Sequence, residues 1–266
     1  MAPITAPFET HVPDFTHILF LSLHTATFRF YEELNDFLPD ERKKVDFLYQ
    51  FKKNPSVKHA IEAIGIPHTE VDLILVNGNS VSFSYQLRQG DRISVYPVFE
   101  SMDITNICHL RPAPLRETKF ILDVHLGKLC KFLRLAGFDT WYDKSYDDSE
   151  IVRIAEEQKR IVLTRDKGLL KNKKLSRGYW VRATNPKIRF GEILKRFDLW
   201  ENIQLAKRCP TCNGLLTPIA QEEIEDKLLP FIRKTYKEFF QCSGCDKIYW
   251  KGPHFQMIKK FMEEFK

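Results

Sequence analysis

Two kinds of side chain in this sequence have types and spacings that could do chemistry. The first is a pair of C-x-x-C knuckles, Cys209-Pro210-Thr211-Cys212 and Cys242-Ser243-Gly244-Cys245. Four thiolates around Zn²⁺ make a closed structural site with no open position for a substrate. Twenty-nine residues separate Cys212 from Cys242, somewhat longer than ordinary ribbon spacing. Turn residues inside both pairs make redox chemistry a poor fit. The second is a set of aspartates. Asp123, Asp143 and Asp166 each follow a short apolar run, and Asp147, Asp148 and Glu150 open a helical pattern. Clustered carboxylates repel one another unless a cation lies among them. All-oxygen ligands suit Mg²⁺ or Mn²⁺, and such an ion can activate water and stabilise charge on a phosphate. For Asp147 with Glu150 there is also a local reading, a capping box that satisfies free helix amides. His125 reads as a structural neighbour of Asp123, and Cys130 as core.

The cations are unevenly placed. The net charge is +6, but residues 153–208 alone hold 16 Lys/Arg against 6 Asp/Glu. A basic segment of this kind is the electrostatic footprint of a polyanionic partner, usually nucleic acid. Lys128, Lys131 and Arg134 lie opposite the apolar stripe of one helix, and Arg165 and Lys167 flank Asp166. These five are the expected phosphate contacts, which position a nucleic acid without reading its sequence.

The elements that must position these groups form three regions. Residues 22–100 read as an α+β unit. Thr25–Tyr31 alternates as a strand, Pro55-Ser56-Val57 opens a helix that Gly65 stops, and Val71–Val76 is a buried strand. Asn77-Gly78 signals a tight hairpin into Ser80–Tyr85, and Arg92–Tyr96 follows. That order suggests a β-grasp arrangement. His59 and His68 read as surface or loop residues. Residues 101–117, with Arg111-Pro112-Ala113-Pro114, read as a linker.

From 118 to 205 strands and helices alternate, which is the pattern of a parallel sheet. Strands are expected at Lys119–Leu122, Thr140–Tyr142, Ile161–Leu163 and Gly178–Arg182. Ligands of open α/β sheets bind at the carboxyl ends of the strands, the address of Asp123, Asp143 and Asp166. Residues 206–266 carry the cysteines and a helical insert at Glu222–Phe240 that Pro230 disturbs.

Several functions are excluded by residues that are missing. No G-x-x-x-x-G-K-[ST], G-x-G-x-x-G or G-x-S-x-G motif occurs. The β-grasp region runs on past Tyr96-Pro97 and has no Gly-Gly tail of the kind sulfur carriers use. No apolar run exceeds four residues, and Met1–Phe15 carries no Lys or Arg. Neither a membrane span nor a secretory signal is therefore expected, and the expected location is cytoplasmic.

Phe120-Ile121-Leu122-Asp123, Leu126-Gly127-Lys128-Leu129, Leu133-Arg134, Thr164-Arg165-Asp166 and Tyr249-Trp250-x-Gly252-x-His254, taken with the cysteine spacing, resemble the Mut-seven C-terminal RNase domain family. The stretch Pro67–Asp72 through Asn77-Gly78 to Gly90-Asp91 and Tyr96-Pro97 resembles the ubiquitin-like domain that often precedes it. The resemblance implies a PIN-like nuclease with a zinc ribbon, behind a ubiquitin-like β-grasp domain. It implies a Mg²⁺- or Mn²⁺-dependent ribonuclease with Asp123 and Asp166 on the ion. One of Asp143, Asp147 or Asp148 would be the middle acid. RNA is the implied partner, with a protein partner for the ubiquitin-like domain. Many PIN nucleases carry a fourth acid about twenty residues beyond the third. Here no Asp or Glu follows Asp166 until Glu192. A non-catalytic RNA-binding or ribosome-associated adaptor is the competing expectation.

Overall fold

The computed structural model describes residues 23–97, 110 and 118–263. The expected linker at 101–117 (Leu110 apart), the Met1–Phe15 segment, the Ile18–Leu21 run and the side chain of His254 lie outside the described residues.

Alternating strands with one apolar face build the first unit. It comprises β1 (His24–Phe30), β2 (Phe47–Phe51), α1 (Val57–Ile64), β3 (Val71–Val76), β4 (Asn79–Ser80) and β5 (Arg92–Pro97). The sheet order is β2-β1-β5-β3-β4, with β1 parallel to β5 and the other pairs antiparallel. This is the β-grasp arrangement. The Ser56 side chain caps α1 by accepting from His59 N, and Gly65 ends it at φ 120°. Val57, Ala60 and Ile61 pack that helix onto Phe28, Phe30, Ile74 and Val95 of the sheet. Asn77 and Gly78, at φ 51° and 85°, make the expected hairpin turn. The strand after it covers only Asn79–Ser80, with Val81 N still donating to Ile74 O, so it falls short of the expected reach to Tyr85.

The second unit is a four-stranded parallel sheet, β7-β6-β8-β9. Its elements are β6 (Lys119–Leu122), α2 (Gly127–Leu135), β7 (Asp139–Trp141), α3 (Asp148–Gln158), β8 (Ile161–Thr164), β9 (Gly178–Trp180) and α4 (Pro186–Arg196). The strands are apolar on both faces because both faces are covered. Phe120, Leu122 and Leu163 meet α2 and α4, while Ile121 and Val162 meet α3.

The third unit is an antiparallel sheet of β10 (Leu216–Ile219), β11 (Phe239–Cys242) and β12 (Ile248–Trp250). The single helix expected at Glu222–Phe240 does not form. A 3-10 helix at Gln221–Lys227 and a short α5 (Pro230–Thr235) stand in its place, with Pro230 at the first helical position. Proline lacks the N–H and clashes with the preceding turn, so it starts a helix and does not continue one. The last helix, α6 (Pro253–Glu263), returns to the parallel sheet unit, where Phe261 packs on Phe132 and Phe190. Among the described residues no helix is long and apolar enough to cross a membrane.

The β-grasp unit docks against the β9 edge of the parallel sheet. A 3-10 turn at His68–Glu70 is buried there, which corrects the surface reading of His68. His68 Nε2 lies 2.9 Å from Leu175 O, and its Nδ1 lies 2.7 Å from Glu62. His59 is exposed as expected.

Candidate functional site

Asp123 ends β6 and caps the 3-10 turn Val124–Leu126 that leads into α2. Its carboxylate is 6% exposed. Oδ1 accepts from His125 N at 2.8 Å, and Oδ2 accepts from Arg165 N at 2.9 Å and from the Thr164 hydroxyl. The same Thr164 Oγ1 accepts from Asp166 N at 2.8 Å. One hydroxyl at the end of β8 therefore ties both acids to the carboxyl edge of the sheet. Asp166 is exposed, and its Oδ1 accepts from Gly168 N at 2.7 Å.

The other expected acids stand apart from this pair. Asp143 closes a local turn, accepting from the Ser145 N–H and hydroxyl, and these bonds hold its carboxyl below the usual range. Asp147 is the cap of α3 and accepts from Glu150 N and Ser149 Oγ. Asp148 is exposed in the first turn of α3. Glu150 pairs with Arg153. Among the described residues no three acids bring their oxygens together as a ready metal nest. Nor does Glu192 complete one. Its carboxylate accepts from Tyr179 OH, Arg182 N and Ala183 N.

The turn that Asp123 caps runs into the wall of a groove of about 380 Å³, within the ~300–1,000 Å³ range of ligand sites, which neither Asp123 nor Asp166 lines. His125, Lys128, Lys131, Lys144 and Arg189 line it, with Tyr142 and Pro186. Gly127 makes room for Tyr142: a Cβ there would sit 2.7 Å from the phenol oxygen. Burial raises the Tyr142 phenol pKa, and the nearby charges of Cys130, Asp123 and Asp143 add to it. Burial and Arg165 lower the Arg189 pKa, while Asp123 and Glu192 act against them.

Three of the five expected phosphate contacts already have partners within the fold. Arg134 is buried, and its guanidinium donates to Thr140 O at 2.8 Å and to the carbonyls of Pro210 and Thr211. Arg165 Nη1 donates to the carbonyls of Val181, Arg182 and Ala183. Lys167 Nζ lies 3.9 Å from the centre of the Trp180 ring and 4.9 Å from that of Phe37. Burial lowers the Lys167 pKa, with Arg182 acting the same way. Unmet carbonyls and an aromatic face outcompete solvent for these cations. Lys128 and Lys131 remain exposed. Lys144 and Arg189 were missed, because one lies in a loop and the other in a helix remote in sequence.

The four cysteine sulfurs lie within 4.8 Å of one another. Cys209 and Cys245 approach to 3.7 Å, and Cys212 and Cys242 to 3.3 Å. Tetrahedral Zn–S bonds of ~2.3 Å place sulfurs roughly 3.8 Å apart. Gly244 N donates to Cys242 Sγ, and a Cβ on Gly214 would come within 2.8 Å of the same sulfur. The cluster is consistent with zinc. Its first knuckle also joins the parallel sheet. Asn213 Oδ1 accepts from Thr140 N at 3.0 Å, while Asn213 Nδ2 and Arg208 both donate to Asp139. Burial alone would raise the Asp139 pKa, but its bonds to Arg160 and Asn213 outweigh it and hold the carboxyl low.

The Mut7-C RNAse domain model matches residues 118–262, spanning the parallel sheet and the cysteine sheet together. The Mut7-C ubiquitin model matches residues 23–103. No curated protein and no solved structure matches the chain.

Proposed function

The chain belongs to the Mut7-C RNAse domain family, and from that premise we propose that it hydrolyses RNA phosphodiester bonds in the groove beside Asp123. One observation carries the reading: a buried carboxylate, Asp123, at the carboxyl edge of a parallel sheet, whose charge reaches Arg189 in a groove that Lys128, Lys131 and Lys144 also line. These cations neutralise the backbone phosphates and set the register of the strand, independent of sequence. Asp123 and Asp166 are hard oxygen donors and suit Mg²⁺ or Mn²⁺. An ion shared with substrate phosphate needs only one or two protein carboxylates, so a third converging acid is not required. When bound there it would supply a water of lowered pKa and neutralise charge on the phosphate. Thr164 and the Arg165 amide hold Asp123 in place, and Asp148 or a neighbouring acid would assist the pair. The four cysteines hold Zn²⁺ as a structural ion.

The absence of a third converging acid among the described residues favours the second reading, an RNA-binding adaptor without cleavage. Labelled single-stranded and structured RNAs, incubated with wild type and Asp166→Asn in Mn²⁺ or EDTA, separate the two. The expected result is metal-dependent cleavage that falls about 100-fold in the variant, the scale of one lost charged contact of roughly 3 kcal/mol. No cleavage, with salt-sensitive RNA binding equal in both proteins, would establish the adaptor.

A further inference from the structure

The loop between β8 and β9 carries Asp166 and Lys167, and its other side is the β-grasp unit. Thr69 Oγ1 donates to Leu170 O at 3.1 Å. His68 Nε2 lies 2.9 Å from Leu175 O, and Lys171 Nζ donates to Glu62 O at 3.0 Å. Phe37 faces Trp180 at 5.2 Å, and Lys167 sits over both rings. Trp180 Nε1 in turn donates to Arg165 O. The three pieces meet closely at Gly178, where a Cβ would be 2.4 Å from the Leu170 Cδ2 and 3.4 Å from Thr69 Oγ1. Inside the loop the backbone bonds are short turns, Lys171 N to Gly168 O, Asn172 N to Leu169 O and Leu175 N to Asn172 O. These turns order the loop locally, Leu169, Leu170 and Leu175 seat it on Ile121, Ile151 and Val162 of its own sheet unit, and the β-grasp contacts hold it from the other side.

We infer that the β-grasp domain is a working part of the nuclease site, its Phe37, His68 and Thr69 clasping the 165–175 loop so that Asp166 stays beside Asp123. The inference rests on the nuclease reading above. It makes these three side chains positioning residues, since none touches Asp123 or the groove. It also gives the domain a task inside the chain, independent of any outside protein. Loss of the clasp would loosen the loop beyond the Thr164 bond to the Asp166 amide, so that the Asp166 carboxylate is held less closely, while leaving Lys128, Lys131, Lys144 and Arg189 in place. Turnover would therefore suffer more than RNA affinity.

The test uses the full chain, with Phe37→Ala and Thr69→Val as separate variants, Phe37→Leu as a conservative rescue and Leu48→Ser, on exposed β2, as a control. Amide hydrogen exchange is read alongside kcat and KM. Exchange over 165–175 is expected to quicken about tenfold in both clasp variants, with β1, β3 and β6 unchanged. kcat is expected to fall about tenfold while KM stays within about twofold. Phe37→Leu should recover most of the loss, and Leu48→Ser should match wild type. Unchanged exchange at 165–175 in both clasp variants would overturn the inference, as would faster exchange with wild-type kcat. A wild type that cleaves no RNA overturns the nuclease reading alone. Faster exchange in the variants would then still support the clasp.

Discussion

Asp123 is only 6% exposed, and each of its oxygens has a donor: the His125 amide on one, the Arg165 amide and the Thr164 hydroxyl on the other. A buried carboxylate without such partners would take up a proton and lose its affinity for a cation. Thr164 is the pivot, since the same oxygen accepts from Asp166 N. Thr164→Val removes the donor to Asp123 and the acceptor for Asp166 at nearly constant volume. It is expected to lower stability by about 1–3 kcal/mol, read by urea unfolding, and to lower cleavage with RNA affinity retained. Wild-type stability in the variant would show that the hydroxyl is not holding the acids. The cations divide on the same principle of satisfied partners. Lys128→Ala and Lys131→Ala should each reduce the salt dependence of single-strand RNA binding by ~0.7 in log–log slope, if each meets one phosphate. Arg134→Ala should leave that slope alone and instead destabilise the fold, because its guanidinium serves the carbonyls of Thr140, Pro210 and Thr211.

At the scale of elements, the strand β7 is the joint between the parallel sheet and the cysteine sheet. It is an edge strand, and an open edge is a liability that proteins cover. Here Asn213, from the first knuckle, accepts from Thr140 N while Arg208 and Asn213 hold Asp139. With zinc in the cluster as proposed, the ion draws the knuckle's sulfurs together and so couples metal to edge. Stripping zinc with a chelator, or Cys242→Ser, is expected to expose the Thr140 amide to rapid hydrogen exchange and leave the Ile74 amide in the β-grasp sheet protected. Protection at Thr140 that survives metal loss would mean that the ribbon is held by packing alone, through contacts such as Phe261 on Phe132. α3 shows the more local logic. Asp147 fits its cap, as the spacing to Glu150 predicted, but Glu150 turns to Arg153 and does not close the box.

Across the whole molecule, the interface between the β-grasp unit and β9 buries charge. Glu70 is fully buried, accepts from Trp180 N and faces Arg182, which also reaches Asp36. Burial dominates over Arg182 and pushes the Glu70 pKa up to about 7. A folded-state pKa above the usual value favours the protonated form in the native protein. This contribution to stability is full below the unfolded pKa near 4.5 and is lost as pH rises through 7. Against Glu70→Gln, which cannot ionise, the wild type is expected to lose relative stability between pH 5 and 7.5 and to run parallel above. Urea unfolding of both proteins at pH 5 and pH 8 checks it. Identical pH dependence in the two would place the titration elsewhere. His68 works in the opposite sense, since burial lowers its pKa and penalises acid conditions, so the comparison with the variant is needed to isolate Glu70.

Local signals in the sequence determined much of this molecule. Ser56 and Gly65 mark the ends of α1, Asn77-Gly78 makes its hairpin, and the alternation from Lys119 to Phe197 builds a parallel sheet with Asp123 and Asp166 at its carboxyl edge. The paired cysteines likewise announced one cluster. These features depend on neighbours a few residues apart, or on a periodicity that a helix or strand must present. Tertiary structure alone decided which charges are free to act. Arg134, Arg165 and Lys167 look like Lys128 and Lys131 in one dimension, yet their partners lie on the ribbon, on the chain beyond β9 and on the β-grasp domain. His68 is buried for the same reason. A charged side chain takes whichever unmet carbonyl, carboxylate or aromatic face the fold brings to it, and such partners, often more than a hundred residues away as Leu175 is from His68, leave no mark in the local sequence.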